Sequence, residues 1–136
     1  MITPIINYLA VLIAAVASMV LGALWYSPLL FGKVFMKLSK MSEKDCKNAN
    51  MTRSYALAFV GSLVTAFVLA HFVDYLEVSS FSGAFMAAFW IWLGFFVTTS
   101  MSSVLWEGKP WTLYFINIGH SLVSLVVMAS IVGLWP

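Results

Sequence analysis

The chain has 136 residues, of which 62% are hydrophobic and 9% charged, with a formal net charge of +2 and a mean hydropathy of +0.98. Soluble domains carry roughly 25% charged residues, so this chain has too few charges to cover a water-facing surface, and its long apolar runs argue for an integral membrane protein. The few basic residues sit in loops without a folded basic surface for tracking phosphates, which argues against a nucleic-acid partner.

Residues 5–27 form the first predicted span, an apolar run whose stretch from Ile5 to Tyr26 is interrupted only by Asn7 and Ser18. It meets the roughly 20 residues that a bilayer core requires. No Lys or Arg precedes the run and no small-x-small site follows it, so it reads as a retained helix rather than a cleaved leader. Trp25 and Tyr26 are the amphipathic rings expected to anchor the helix at head-group depth. Pro28 cannot donate a backbone hydrogen bond and disfavours helix at Ser27, so the helix ends or kinks there.

Residues 28–53 form the one long polar stretch, predicted to be a cytoplasmic loop holding every basic residue except Lys109. Lys33, Lys37, Lys40, Lys44 and Lys47 recur at helical intervals, and Phe31, Val34, Phe35, Leu38 and Met41 fall opposite them. That is the pattern of an amphipathic helix lying in the membrane interface. Each lysine near an anionic leaflet contributes roughly 1 kcal/mol, which makes anionic lipid an expected contact of these five. The plainer reading is that the lysines only mark the cytoplasmic side. Ser42-Glu43-Lys44-Asp45 resembles a helix start with acids in its first turn, so the loop is one helix or two. Cys46 is the sole cysteine, so no disulfide forms within the chain.

The second, third and fourth spans are predicted at residues 54–73, 81–105 and 111–134. A short turn with Asp74 and Glu77 joins the second to the third. A tighter turn at residues 106–110, flanked by the interfacial anchors Trp106 and Trp111, joins the third to the fourth. All Lys and Arg lie in the loops after the first and third spans. The positive-inside rule therefore places loops 28–53 and 106–110 in the cytoplasm and both termini outside a cell membrane. Ala10, Ala14, Ser18 and Gly22 on the first helix, and Ala58, Ser62, Ala66 and Ala70 on the second, form stripes of small residues along which helices approach closely. On helix three, Phe85, Phe89, Trp92 and Phe96 read as packing or lipid-facing rings rather than a cofactor box.

Motifs of chemistry are absent from this reading: no catalytic residue, no metal-ligand spacing and no cofactor is predicted. The one polar constellation is on the fourth helix, where Asn117, His120, Ser121 and Ser124 share a face. At 1.5 Å per residue, His120 lies roughly 12 Å from the cytoplasmic end, near the middle of the bilayer core. A buried ionisable group at that depth is a candidate for a proton or substrate path. The same residues also serve as interhelical hydrogen-bonding partners, and both readings stay open. Thr98, Thr99, Ser100, Ser102 and Ser103 wrap round the third helix, as expected of hydroxyls that bond the preceding turn's carbonyls. His71 and Asn7 read as interfacial residues without special partners.

Asn7-Tyr8-Leu9-Ala10, Leu24-Trp25-Tyr26-Ser27-Pro28 with Phe31-Gly32-Lys33, Leu105-Trp106-Glu107-Gly108-Lys109-Pro110-Trp111 and the closing Leu134-Trp135 together resemble the domain of unknown function 1761 family of small membrane proteins. The resemblance spans nearly the whole chain and is most specific at Trp25-Tyr26-Ser27-Pro28. It implies a four-helix membrane protein and brings no activity or site residues with it.

The expectation is thus an all-α, polytopic membrane protein forming a single transmembrane domain over residues 1–136. It is expected to be non-enzymatic, a structural or accessory bundle in the lipid bilayer that forms homo-oligomers. A small oligomeric transporter or channel with a polar path near Asn117 and His120 is the alternative. The orientation is testable at Cys46: a membrane-impermeant maleimide will label it only after the cytoplasmic face is opened, and labelling of intact cells would reverse the topology.

Overall fold

A computed structural model describes residues 6–27, 33–34, 37 and 51–135. Lys40, Lys44, Lys47, Cys46, Pro28 and the helical course expected across the loop lie outside the described residues. Within them the chain is all helical, with no strand. Four helices follow in order: α1 (Tyr8–Trp25), α2 (Met51–Tyr75), α3 (Phe81–Leu105) and α4 (Trp111–Leu134). Each is long and apolar enough to cross a membrane, so the architecture is that of a multi-pass protein.

Local chemistry explains where the helices start. Asn7, expected to need no partner, caps α1: its Oδ1 accepts the backbone N–H groups of Leu9 at 3.1 Å and Ala10 at 3.2 Å. This satisfies donors that the first helical turn leaves without partners, and it sets the start at Tyr8 rather than residue 5. Ser80 does the same for α3 by accepting from Gly83 N–H at 3.2 Å. Pro110 precedes α4 in extended geometry and has no amide hydrogen to lose.

Their ends are equally specific. The α2–α3 turn is a Schellman closure, with Val78 N–H bonded to Val73 O at 3.0 Å and Glu77 N–H to Asp74 O at 3.1 Å. It forces Glu77 to φ 54°, a left-handed conformation that a side chain disfavours. The hydrophobic pair of this motif, Val73 and Val78, lies against Gly133 of α4, where a Cβ would stand 2.8 Å from Val73 Cγ1 and 3.2 Å from Val78 Cγ1. At the other end of α3, Gly108 takes φ 71° and Lys109 N–H returns to Ser103 O at 3.0 Å.

α3 is not a uniform helix. After Phe81–Ile91 it widens to a π-helical segment over Trp92–Val97, then returns to α-helix at Thr98–Ser100 and Ser102–Leu105. Hydroxyls serve the carbonyls around this segment: Thr98 Oγ1 donates to Gly94 O at 2.7 Å, and Thr99 Oγ1 donates to Phe95 O. Ser102 and Ser103 likewise donate to Thr99 O and Ser100 O, so the hydroxyl-rich end bonds to its own helix as the sequence implied.

α4 lies at the centre and touches the other three helices, while α1 packs on α2 and α4, and α3 packs chiefly on α4. The core joins Val11 and Ala14 of α1, Ala66, Leu69, Ala70 and Val73 of α2, Ala84 and Ala88 of α3, and Leu125, Met128 and Ala129 of α4. These are early residues of α1 and α3 and late residues of α2 and α4, so the helices alternate in direction and the tight core sits at the end with the Asp74–Glu77 turn. Alanines dominate because lipid supplies no hydrophobic drive for helices to associate, and close backbone contact must do it instead. At the opposite, lysine end α2 is exposed, with Leu57 at 60% and Val60 at 54%.

Relief of the strained turn is a direct test. Glu77→Gly removes a left-handed penalty of roughly 1–2 kcal/mol, partly offset by a more flexible unfolded chain. The variant will melt at a higher temperature in detergent than the parent; an unchanged or lower melting point would mean that the turn is not strained.

Candidate functional site

The polar face of α4 does come together with other helices, through α1. Asn117 Oδ1 accepts a 2.7 Å hydrogen bond from Tyr26 OH, and Ser124 Oγ shares a buried 2.8 Å bond with Ser18 Oγ. Ser121 Oγ turns back to its own helix and donates to Asn117 O at 3.1 Å. His120 makes none of these bonds. Its half-buried ring lies between Trp25 and Tyr26, with centroids 6.1 and 5.3 Å away, and its Nε2 is buried without a hydrogen-bond partner. Gly22 makes room for it, since a Cβ there would stand 3.3 Å from His120 Nε2. The cross-helix bonds expected of this face therefore rest on Asn117 and Ser124 and not on the histidine.

Trp25 and Tyr26, placed by the sequence at head-group depth, have a second attachment. Trp25 Nε1 donates to Ile116 O at 3.0 Å, and its ring lies over Gly119, where a Cβ would stand 3.1 Å from Trp25 Cζ2. From the opposite side of α4, Trp92 Nε1 donates to Ile118 O at 2.7 Å, and Tyr114 OH returns the contact by donating to Val97 O at 2.6 Å. Residues 114–124 of α4 are thus clamped from both flanks. Tyr114 and Gly119 belong to this site although sequence reasoning did not select them, and Trp92, read there as a packing or lipid-facing ring, packs and donates as well. No spacing within one chain pairs an indole with a particular carbonyl on another helix.

The small-residue stripes behave differently along their length. On α1, Ala10, Ala14 and Ser18 are buried, and Gly22 meets His120. On α2, Ala66 and Ala70 are buried, but Ser62 is half-buried and Ala58 exposed. The stripe packs only near the core because, toward the lysine end, Trp25 and Tyr26 tie α1 to α4 and leave α2 apart. The gap is a cleft. One cavity of about 280 Å³ is lined by Ser18, Ala58, Gly61, Ser62, Thr65, Phe96, His120, Ser121, Ser124, Leu125 and Met128. A second, of about 570 Å³, shares Ser18, Ala58, Ser62 and His120 and extends to Tyr26, Ser27 and Tyr55. A third hollow, about 370 Å³ beside Asn7, Val73 and Trp135, lies at the other end of the bundle.

The remaining sequence candidates sit at the periphery. Lys33 and Lys37 are helical and exposed; Trp106 is 86% exposed, and Trp111 is exposed beside Tyr114. Lys109 Nζ lies 3.6 Å from Glu107 in an exposed pair that contributes little to stability. His71 bonds through Nδ1 to Phe67 O at 2.8 Å, within its own helix. Among the described residues no three of His, Cys, Asp and Glu converge as metal ligands do.

The model of a family described as "Protein of unknown function (DUF1761)" matches residues 9–133. No curated protein and no solved structure matches the chain.

A double-mutant cycle measures the clamp. Tyr26→Phe and Asn117→Ala, alone and combined, will show a coupling of about 0.6–2 kcal/mol in detergent unfolding. Additive effects would mean that the 2.7 Å bond contributes no stability.

Proposed function

The chain belongs to the DUF1761 family, and from its own residues we propose that it is a non-enzymatic, structural or accessory bundle of the cell membrane. The observation that carries this reading is the pairing of Tyr26 with Asn117 and of Ser18 with Ser124. Of the four membrane-depth polar groups that invite a transport or catalytic role, Asn117 and Ser124 are engaged in holding α1 to α4 and Ser121 bonds to its own helix. Charge supports an orientation with both termini outside and loops 28–53 and 106–110 in the cytoplasm, where Lys33, Lys37, Lys40, Lys44 and Lys47 meet anionic head groups. The exposed lysine-end face of α2, with Leu57, Val60 and Val64 around Ala58 and Gly61, supports self-association.

A second reading, a small oligomeric transporter or channel, is favoured by one observation. The cleft lined by hydroxyls and His120 reaches from mid-helix to Tyr26 and Tyr55 at the lysine end.

His120 separates the two. Because its Nε2 has no partner to lose, His120→Leu will leave the melting temperature near that of the parent, whereas Asn117→Leu will lower it. On the structural reading, proteoliposomes of the parent and of His120→Leu will pass protons and small solutes at the same low rate. A parental flux that His120→Leu abolishes would establish the transport reading instead.

A further inference from the structure

The lysine-end half of α2 is a free arm beside a fixed wall. Residues 52–58 are exposed without interruption, and close packing begins at Ala66, with Leu69, Ala70 and Val73 buried beyond it. The wall opposite is held independently of the arm, because Trp25 bonds to Ile116 O and Tyr26 to Asn117, tying α1 to α4. Between the free and the packed halves of α2 stands the pair Gly61-Ser62, and Thr65 Oγ1 donates to Gly61 O at 2.9 Å. Glycine and serine side by side, and a threonine bonded back to the preceding turn's carbonyl, are features at which helices bend. The bend point thus coincides with the place where packing stops. We propose that residues 52–60 of α2 are a hinged lid, which swings about Gly61-Ser62 to close the hydroxyl-lined cleft against α1.

Three features fit a closed position better than the open one. Helix interiors disfavour glycine more than any residue except proline, yet a Cβ at Gly61 would meet nothing within 4 Å, so no neighbour among the described residues requires glycine while the cleft is open. Close approach of the opposite wall would require it. Ser62 is half-buried on the cleft side and its hydroxyl bonds to nothing among the described residues, whereas Ser18, Ser121 and Ser124 are all bonded. A hydroxyl left without a partner at membrane depth is costly, and closing brings it to the polar wall. Small residues also line both sides where the arm would land, with Ala58 and Ser62 facing Gly22 and Ala23 across the larger cavity. The stripe already packed at Ala66 and Ala70 would simply be extended toward the lysine end. Once closed, the lid shuts His120 off from that end. A lipid tail or a second copy seated in the cleft would hold the arm out instead.

The lid requires only that α2 span the membrane, so it stands or falls apart from whether His120 conducts protons. The test uses the full chain with Cys46→Ala in phosphatidylcholine nanodiscs, carrying nitroxides on Leu24→Cys and Ala56→Cys, both exposed and outside the cleft lining. Double electron–electron resonance will show two separations. Gly61→Leu, which has room in the open arrangement but wedges the cleft, will lose the shorter one. Met19→Cys with Ala58→Cys keeps Gly61 and serves if the leucine variant fails to fold: oxidation will join the two cysteines within one chain. A single separation in the parent, two unchanged separations in Gly61→Leu, or disulfides between copies instead of within one would each overturn the proposal.

Discussion

Everything in this bundle depends on the middle of α4 being held by donors from its neighbours. A helix in hydrocarbon satisfies its own backbone, so it has no need of partners along its length. Yet Trp25 and Trp92 place indole N–H groups on the carbonyls of Ile116 and Ile118, using the second lone pair that each carbonyl oxygen retains. Added to the Tyr26–Asn117 and Ser18–Ser124 bonds, these contacts fix which face of α4 looks at α1 and which at α3. Van der Waals contact between alanines sets how near the helices come, whereas the indoles and hydroxyls set their rotation.

That division explains how much could be read from the sequence. Length and hydropathy give four helices because bilayer thickness imposes a minimum run of apolar residues, and α3 and α4 are found where the pattern places them. The polar face of α4 was legible too, since Asn117, His120, Ser121 and Ser124 share an arc at helical spacing. Which of them does what was not. Asn117 and Ser124 found partners on α1 and His120 did not, a distinction that depends on Gly22 and Tyr26 arriving at the right level from another helix. The Asn7 cap could have been seen, since asparagine before an apolar run is a known helix start. The Trp92–Val97 segment leaves no trace in periodicity over so few residues.

The cleft is a product of the same asymmetry. The cross-helix bonds described above join α1 and α3 to α4 and draw those three together along their length. α1 and α3 are bonded to α4, and α2 is held by Ala66, Ala70 and Val73 near the Asp74–Glu77 turn. Its lysine-end half then stands off with Ser62 and Thr65 facing inward. The bundle packs its alanine core toward one end and opens the hydroxyl-lined cleft toward the other.

The widened segment of α3 also bears on how this chain tolerates change. A π-helical turn accommodates one residue more than an α-helical one, and each residue advances an α-helix by about 100°. Taking one residue out of Trp92–Val97 would return the segment to α-helix and leave Thr98 to Leu105 close to its present phase, because the widened turn spends one extra residue on about the same rotation. Trp92 would keep its level beside Ile118 O, and Val97 O its level beside Tyr114 OH. α3 therefore carries a spare residue at its middle: a deletion at Trp92–Val97 is absorbed there, whereas one within Phe81–Ile91 would swing the rest of the helix by about 100°.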